Sequence, residues 1–101
     1  MKHLVVIVSA SVREAVIDQL RALKVTGFTL SVVEGHGPRT AEDPFLSSRD
    51  RVVGYVPQVR IDMVLPPERV AAVVDALSDP HVGLAGHGVF WLTAIERFDQ
   101  F

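Results

Sequence analysis

The order of strand-type and helix-type segments restricts the fold of this 101-residue chain more than any other feature. The run from His3 to Val8 is β-branched and apolar, which is typical of a buried strand. A capping-box pattern follows, with Ser11 at the N-cap position and Glu14 three residues later. Apolar residues then recur at helical spacing, namely Val12, Val16, Leu20 and Leu23. We expect this helix to end at the Thr26–Gly27 pair.

Two further strands are expected in the middle of the chain. Phe28–Glu34 is predicted to be one strand, and Val52–Leu65 is predicted to be a longer strand interrupted by Pro57. Towards the end of this longer strand, apolar and other side chains alternate. We therefore expect one of its faces to lie on a core, and the apolar residues concerned are Val59, Ile61, Met63 and Leu65.

A second helix and a last strand complete the chain. The Pro66–Pro67 pair stops the long strand, and Pro67 suits the first turn of a helix. Apolar residues recur behind it at helical spacing, at Val70, Val73, Val74 and Leu77. The Asp79–Pro80 pair breaks this helix, and Val89–Ile95 is the last predicted strand.

The resulting β-α-β-β-α-β order predicts an α+β fold of the ferredoxin-like type. In that arrangement a four-stranded antiparallel sheet carries both helices on one face. We expect residues 1–101 to form a single domain. The other face of the sheet would carry Arg60, Asp62 and Val64. A partly apolar open face on a small domain is a candidate subunit interface.

Charge and composition argue against several classes of function. The formal net charge is −2, and the ten Lys and Arg residues are scattered, which argues against a primary nucleic-acid binder. The chain has no cysteine, so disulfides, thiolate metal sites and cysteine nucleophiles are excluded. The apolar stretch from Leu4 to Val8 is too short to span a membrane, and no signal peptide is visible. We therefore expect a cytoplasmic protein without direct membrane insertion.

Two Gly-His-Gly motifs mark a candidate anion-binding cleft. The first, Gly35-His36-Gly37, opens an irregular segment that reaches Arg51, and the second, Gly86-His87-Gly88, precedes the last strand. Such turns can present backbone N–H groups to an anion if the fold brings them together. Alternatively, their glycines only permit positive φ. An irregular segment of this length in a small domain is usually functional or disordered.

Charged and titratable residues in and beside these motifs have two interpretations each. Arg39 could make bidentate contacts to phosphate or bicarbonate, or be a solvated loop charge. His36 and His87 could hydrogen-bond an anion or act as a pH-sensitive switch, or be surface histidines without a role. Without cysteine or a His-x₃-His pair, we expect no metal site. No nucleophile elbow or acid–base carboxylate pair is present, so we expect neither an enzyme nor a cofactor.

Short motifs spread over nearly the whole chain resemble the PII signalling family. In chain order they are Val25–Thr29, Glu34–Gly37, Val52–Val53, Pro57–Asp62 and Gly86–Gly88. The resemblance implies a homotrimer with a nucleotide in each of three clefts between subunits. It also implies that residues 38–51 form the partner-reaching T loop and residues 79–88 the B loop. The implied nucleotide and anion site comprises Thr29, Gly35, His36, Gly37, Arg39, Val64, Gly86, His87, Gly88 and Val89.

Within that set, the resemblance places Thr29 and Val64 against adenine, although a strand threonine and a packed valine are the simpler interpretation. Other positions depart from the family. Gln58 replaces a lysine that helps to hold 2-oxoglutarate, Arg39 replaces a glutamine, and Arg51 replaces a tyrosine that some members modify. The B-loop aspartate and phosphate-binding lysine are replaced by His87 and Val89, and the C-terminal arginine pair is not reproduced.

These departures favour a divergent PII-like protein over a nitrogen regulator, similar to the carboxysome-associated branch that responds to bicarbonate and adenine nucleotides. The first hypothesis is a sensor that binds ADP or AMP, with bicarbonate as a candidate second effector. Its T loop would reach an unknown partner protein, such as a transporter or a carboxysome component. The second is a metal-linked PII-like or CutA-like trimer that uses loop histidines. The third is a purely structural adaptor of a transporter or enzyme.

Overall fold

The computed structural model describes residues 1–25, 27–36 and 55–101. In chain order its elements are β1 (Lys2–Ser9), a 3₁₀ turn (Ala10–Val12), α1 (Arg13–Ala22), β2 (Phe28–Gly35), β3 (Val56–Leu65), α2 (Pro67–Leu77) and β4 (Gly88–Ala94). No helix in these ranges is both long and apolar enough to cross a membrane.

The four strands form one antiparallel sheet in the order β2-β3-β1-β4. This order and the β-α-β-β-α-β sequence of elements confirm the predicted α+β, ferredoxin-like fold. Side chains from both helices belong to the same buried cluster as one face of the sheet, so both helices cover that face. The helical members include Val16, Leu20, Val73 and Leu77, and the strand members include Leu4, Val6, Val8, Val59, Ile61, Met63 and Leu65.

The predicted alternation in β3 is confirmed. Val59, Ile61, Met63 and Leu65 are buried on the helix side, while the residues between them are half-buried on the other side. We call that second side the open face. Burial of these alternate side chains fixes the face that β3 turns to the core, because side chains alternate along a strand.

The predicted capping box of α1 is wrong. The chain instead makes a 3₁₀ turn after β1, and α1 begins at Arg13 with no side-chain cap. The capping hydroxyl is that of Ser9, which accepts a hydrogen bond from the Ser11 backbone N–H at 3.4 Å. The Ser11 side chain also takes part in this turn, since its hydroxyl oxygen lies 2.8 Å from that of Ser9. The helix ends at Ala22, earlier than expected.

Other boundaries agree with prediction to within one residue, or lie outside the described residues. The helix α2 begins at Pro67, as its proline suggested, and ends at Leu77. The last strand begins at Gly88, one residue earlier than predicted. Residues 52–54, which we predicted to start the long strand, lie outside the described part of the chain.

The edge strand β4 is exposed on both faces. Phe90 is 55% exposed and Trp91 is 40% exposed, so neither side chain is a core residue. Backbone contact with β1 is nevertheless close at Gly88, where an added Cβ would lie 2.8 Å from the carbonyl oxygen of Ile7. The absence of a side chain at this position therefore allows β4 to approach β1.

Four side chains form a polar cluster on the open face, which we call the open-face cluster: His3, Arg60, Asp62 and Trp91. Arg60 donates hydrogen bonds from Nε and Nη2 to Oδ2 and Oδ1 of Asp62, both at 3.0 Å. The His3 Nε2 atom lies 2.8 Å from Asp62 Oδ1. The Arg60 guanidinium also lies 5.6 Å from the centre of the Trp91 ring, within cation–π range.

The cluster couples protonation of Asp62 to folding. Hydrogen bonds from Arg60 hold the pKa of the Asp62 carboxyl below its usual value, and the hydrogen bond with His3 acts in the same direction. The same pairing raises the pKa of Arg60. Because the pKa of Asp62 is lower in the folded state, its carboxylate stabilises the fold above the unfolded-state pKa. That stabilisation is lost as pH falls through the folded-state pKa.

We expect Gly88→Ala to destabilise the protein by about 1–3 kcal/mol, the range for overpacking against atoms that cannot move aside. The obstructing atom is a backbone carbonyl oxygen, so no side-chain rotation relieves the contact. Gly27→Ala is the matched control, because an added Cβ there meets nothing within 4 Å. Urea unfolding followed by circular dichroism measures both. Equal stability of the two variants would contradict the close approach.

We expect Asp62→Asn to lower the free energy of unfolding at neutral pH by about 1 kcal/mol, since solvent weakens these partly exposed bonds. The difference from wild type should shrink as pH falls below about 4, where the unfolded carboxyl binds a proton. Urea unfolding over a pH series at one protein concentration measures it. Asp99→Asn, at an exposed carboxylate, is the control. A difference that is independent of pH would argue against this pairing.

Candidate functional site

A cleft of about 560 Å³ lies at the end of the sheet where β2 begins and β3 ends. Thr29 and Val64 both line it, and we call it the Thr29–Val64 cleft. Strand register explains their meeting. Thr29 is paired with Asp62, and Val64 is paired with His3. Because Asp62 and Val64 are two residues apart on β3, all four side chains project on the open face.

The Thr29–Val64 cleft also contains charge. Asp62 and His3 of the open-face cluster line it, as does Arg69 at the start of α2. The Arg69 guanidinium donates a hydrogen bond to the backbone carbonyl of Leu23 at 2.6 Å, which ties the start of α2 to the end of α1. The Asp62 carboxylate is held ionised by Arg60, as its lowered pKa indicates. The cleft therefore presents an anionic acceptor together with the Arg69 cation, which its hydrogen bond to Leu23 holds in place.

The B loop is a series of tight turns that ends against β1. The Asp79 side chain accepts a hydrogen bond from the His81 N–H at 2.8 Å, and the His87 N–H donates to the Leu84 carbonyl at 2.8 Å. The carbonyl of His87 accepts from the Ser9 N–H at 2.9 Å. Gly86 has a φ of 77°, a conformation that favours glycine. Turn geometry alone therefore accounts for this glycine, without a ligand.

A second cleft of about 510 Å³ lies under the B loop, on the helix side of the sheet. Its walls are mainly apolar and come from β1, α2, the B loop and β4. They include Val8, Leu77, Leu84, Val89 and Phe90. Val89, which is 60% exposed, is the residue that replaces the expected phosphate-binding lysine. The side chain at position 89, directly after the B loop, is thus apolar and exposed.

Gly35 and His36 lie at the far end of β2. A Cβ on Gly35 would collide with the side-chain amide of Gln58, so the two residues are in close contact. The His36 Nε2 atom lies 3.3 Å from Glu34 Oε2, and the His36 ring centre lies 5.8 Å from that of Tyr55. Gly37, Arg39 and the remainder of residues 38–51 lie outside the described part of the chain.

The structure divides the predicted site into groups that one protomer does not bring together. Gly35 and Gly88 lie at the same end of the sheet but on opposite edge strands, separated by about 14 Å across the sheet and by about 10 Å along the strands. Thr29 and Gly35 are six residues apart on β2, which corresponds to about 20 Å along the strand. Any ligand that contacts all of these described residues would therefore need surfaces from more than one protomer.

Several residues of the Thr29–Val64 cleft were not predicted as site residues. His3 and Asp62 are 59 positions apart in the chain, and only the pairing of β1 with β3 brings them together. Phe98 and Gln100, from the segment after β4, also line the cleft. No local pattern could have identified them. Among the described residues, no group of three or more His, Asp or Glu side chains could hold a metal ion.

Comparison with known proteins gives a consistent result over nearly the whole chain. The family model described as "Nitrogen regulatory protein P-II" matches residues 1–98. The chain is 24% identical over 98 residues to nitrogen regulatory protein GlnK of Escherichia coli K12, covering 96% of this chain and 88% of that protein. It is 28% identical over 102 residues to nitrogen regulatory protein P-II of Rhodobacter capsulatus, with the same coverage.

A solved structure shows the same fold. The crystal structure of a duf3240 family protein from Shewanella baltica matches with a TM-score of 0.75 and 20% sequence identity, covering 99% of this chain and 94% of the other. At this identity the match supports the fold alone. The sequence match over residues 1–98 supports the family, and this chain therefore belongs to the nitrogen regulatory protein P-II family.

Proposed function

We propose that this protein is a regulatory sensor that binds adenine nucleotide between the subunits of a homotrimer. Members of its family are regulators that form homotrimers and act on partner proteins. In this proposal the ligand alters residues 38–51, the T loop, and so changes the surface offered to a partner. The protein carries no catalytic role in this proposal, in keeping with a family of regulators.

The observation that carries the proposal is the separation of the two parts of the predicted site. The Thr29–Val64 cleft lies at one end of the sheet, and Gly35 and Gly86–Val89 lie at the other. A base in the cleft of one subunit could meet phosphates at the B loop of a neighbour, if the trimer places those ends together. The exposed edge strands β2 and β4 supply surfaces on which such an assembly could form.

The phosphate side of the proposed site rests on neutral groups among the described residues. Val89 is apolar, and Gly35, Gly86 and Gly88 offer only backbone atoms. His36 and His87 are the described residues there that could carry a positive charge, and the Nε2 atom of His36 lies 3.3 Å from Oε2 of Glu34. The contribution of Arg39 and of Gly37 stays a prediction from the sequence. Few cations are thus available for the outer phosphates of a triphosphate.

The finer assignments stay predictions from the resemblance. They include bicarbonate as a second effector and a carboxysome component or a transporter as the partner. The cytoplasmic location stays a prediction from the composition of the sequence. The metal-linked and purely structural hypotheses have no described cluster or surface in their favour, so neither is put forward as a second candidate.

A subunit-mixing experiment tests whether the site is shared. In the Thr29→Tyr variant, the larger side chain should fill the Thr29–Val64 cleft and exclude the base. In the Val89→Glu variant, the added carboxylate should repel phosphate beside the B loop. Each variant alone should bind no ADP by calorimetry. When the two variants are refolded together in equal amounts, about one quarter of the sites should bind ADP again. That is the fraction of heterologous interfaces in which an intact Thr29 of one subunit faces an intact Val89 of its neighbour.

Two controls accompany the mixing experiment. Asp18→Tyr adds the same aromatic ring at an exposed position of α1, and Ala72→Glu adds a carboxylate at an exposed position of α2, both away from the edge strands. Both should keep full ADP binding. No recovery on mixing, with both variants still trimeric by light scattering, would place the whole site within one subunit and refute the shared cleft.

We expect ADP or AMP to bind at least as tightly as ATP. An exposed valine at position 89 supplies no charge to the outer phosphates, and each missing charge-assisted bond forfeits about 1.5–3 kcal/mol. Calorimetry with the three nucleotides, with and without Mg²⁺, measures the order. Val89→Lys should shift the preference towards ATP. A strong Mg²⁺-dependent preference of the wild type for ATP would show that other cations serve this site.

A further inference from the structure

The segment after β4 returns to the Thr29–Val64 cleft. The Ile95 N–H donates a hydrogen bond to the Met1 carbonyl at 3.2 Å, so the segment leaves β4 beside the start of β1. Phe98 and Gln100 then line the cleft. Between them, Asp99 faces solvent and accepts a hydrogen bond from Arg97 at 2.7 Å. We call residues 95–101 the tail.

The tail forms a wall of the cleft and does not fill it. With the tail in place, the cleft still has a volume of about 560 Å³. This lies within the range of about 300–1,000 Å³ that is usual for small-molecule sites. The Phe98 side chain is 46% exposed, so part of its ring remains open to a ligand. An accessible aromatic surface therefore borders a space of ligand size.

The other walls suit one class of ligand group. Val64 and Phe28 add apolar surface, Thr29 and Gln100 add hydrogen-bonding groups, and Lys24, Asp62 and Arg69 add charge. Aromatic and apolar surface with a few convergent polar groups is the usual environment of a planar heteroaromatic ring. A phosphate placed against Asp62 would be repelled, because that carboxylate is held ionised by Arg60.

We propose that Phe98 stacks on the base of the nucleotide, so that the tail is part of the binding site. This inference rests on the proposed function, since it requires a nucleotide base in the Thr29–Val64 cleft. It adds a residue that the resemblance did not assign. Phe98 contributes to recognition of the base and makes no contact with phosphate. Loss of its ring consequently affects nucleosides and nucleotides alike.

Calorimetry on the full-length trimer with adenosine, AMP and ADP tests this assignment. Replacing an aromatic residue that stacks on a base by alanine lowers the affinity by about 5- to 150-fold. We expect Phe98→Ala to show a loss in this range, of similar size for all three ligands. Phe98→Trp should restore binding, and its indole fluorescence should change on addition of adenosine. Phe101→Ala is the matched control, because that fully exposed tail aromatic does not line the cleft.

The outcomes separate this inference from the proposed function. If the wild type binds none of the three ligands, the proposed function fails and the stacking role falls with it. If the wild type binds them and Phe98→Ala binds equally well, only the stacking role is overturned. An equal loss in Phe101→Ala, or a loss for ADP without one for adenosine, would also overturn it. Light scattering and circular dichroism establish that each variant remains a folded trimer.

Discussion

The antiparallel pairing of β1 with β3, the two central strands, is the constraint on which the rest of the structure depends. Its register runs from Lys2 opposite Leu65 to Ser9 opposite Gln58. This register puts the buried apolar residues of both strands on the helix side and places His3 and Asp62 within hydrogen-bonding distance on the open face. A slip of one residue would reverse both faces together. The buried core and the open-face cluster are therefore both determined by the register of β1 and β3.

The residues of the proposed site lie at the ends and edges of the sheet, which this central pairing leaves available. β2 and β4 are the edge strands, and each carries a group of predicted ligand residues at the same end of the sheet. The Thr29–Val64 cleft occupies the opposite end. Within one subunit, the rigid strands between these groups keep them apart. Such a division suits a sensor, since ligand binding would then report on how subunits are arranged as well as on ligand concentration.

The Thr29–Val64 cleft also shows how a small domain stabilises a partly buried charge. Asp62 is kept ionised at the edge of a ligand-sized space because Arg60 donates two hydrogen bonds to it. Arg60 in turn lies against the Trp91 ring, and Val5, which is paired with both Asp62 and Trp91, is fully buried. The polar residues of the open face thus cover an apolar residue while remaining partly solvated, which avoids the cost of burying an unpaired charge.

Within the described ranges, the sequence by itself determined the order and type of the strands and helices, and the core face of β3. Strand and helix periods are local properties of the chain, so Val59 to Leu65 and Val70 to Leu77 could be interpreted directly. The capping hydroxyl was misassigned to Ser11 because Ser9 and Ser11 compete for the same turn. Only the tertiary structure decided that His3 meets Asp62 and that Phe98 reaches the cleft of Thr29. Those contacts depend on strand register and on the path of the tail, which join residues far apart in the chain and leave no local pattern.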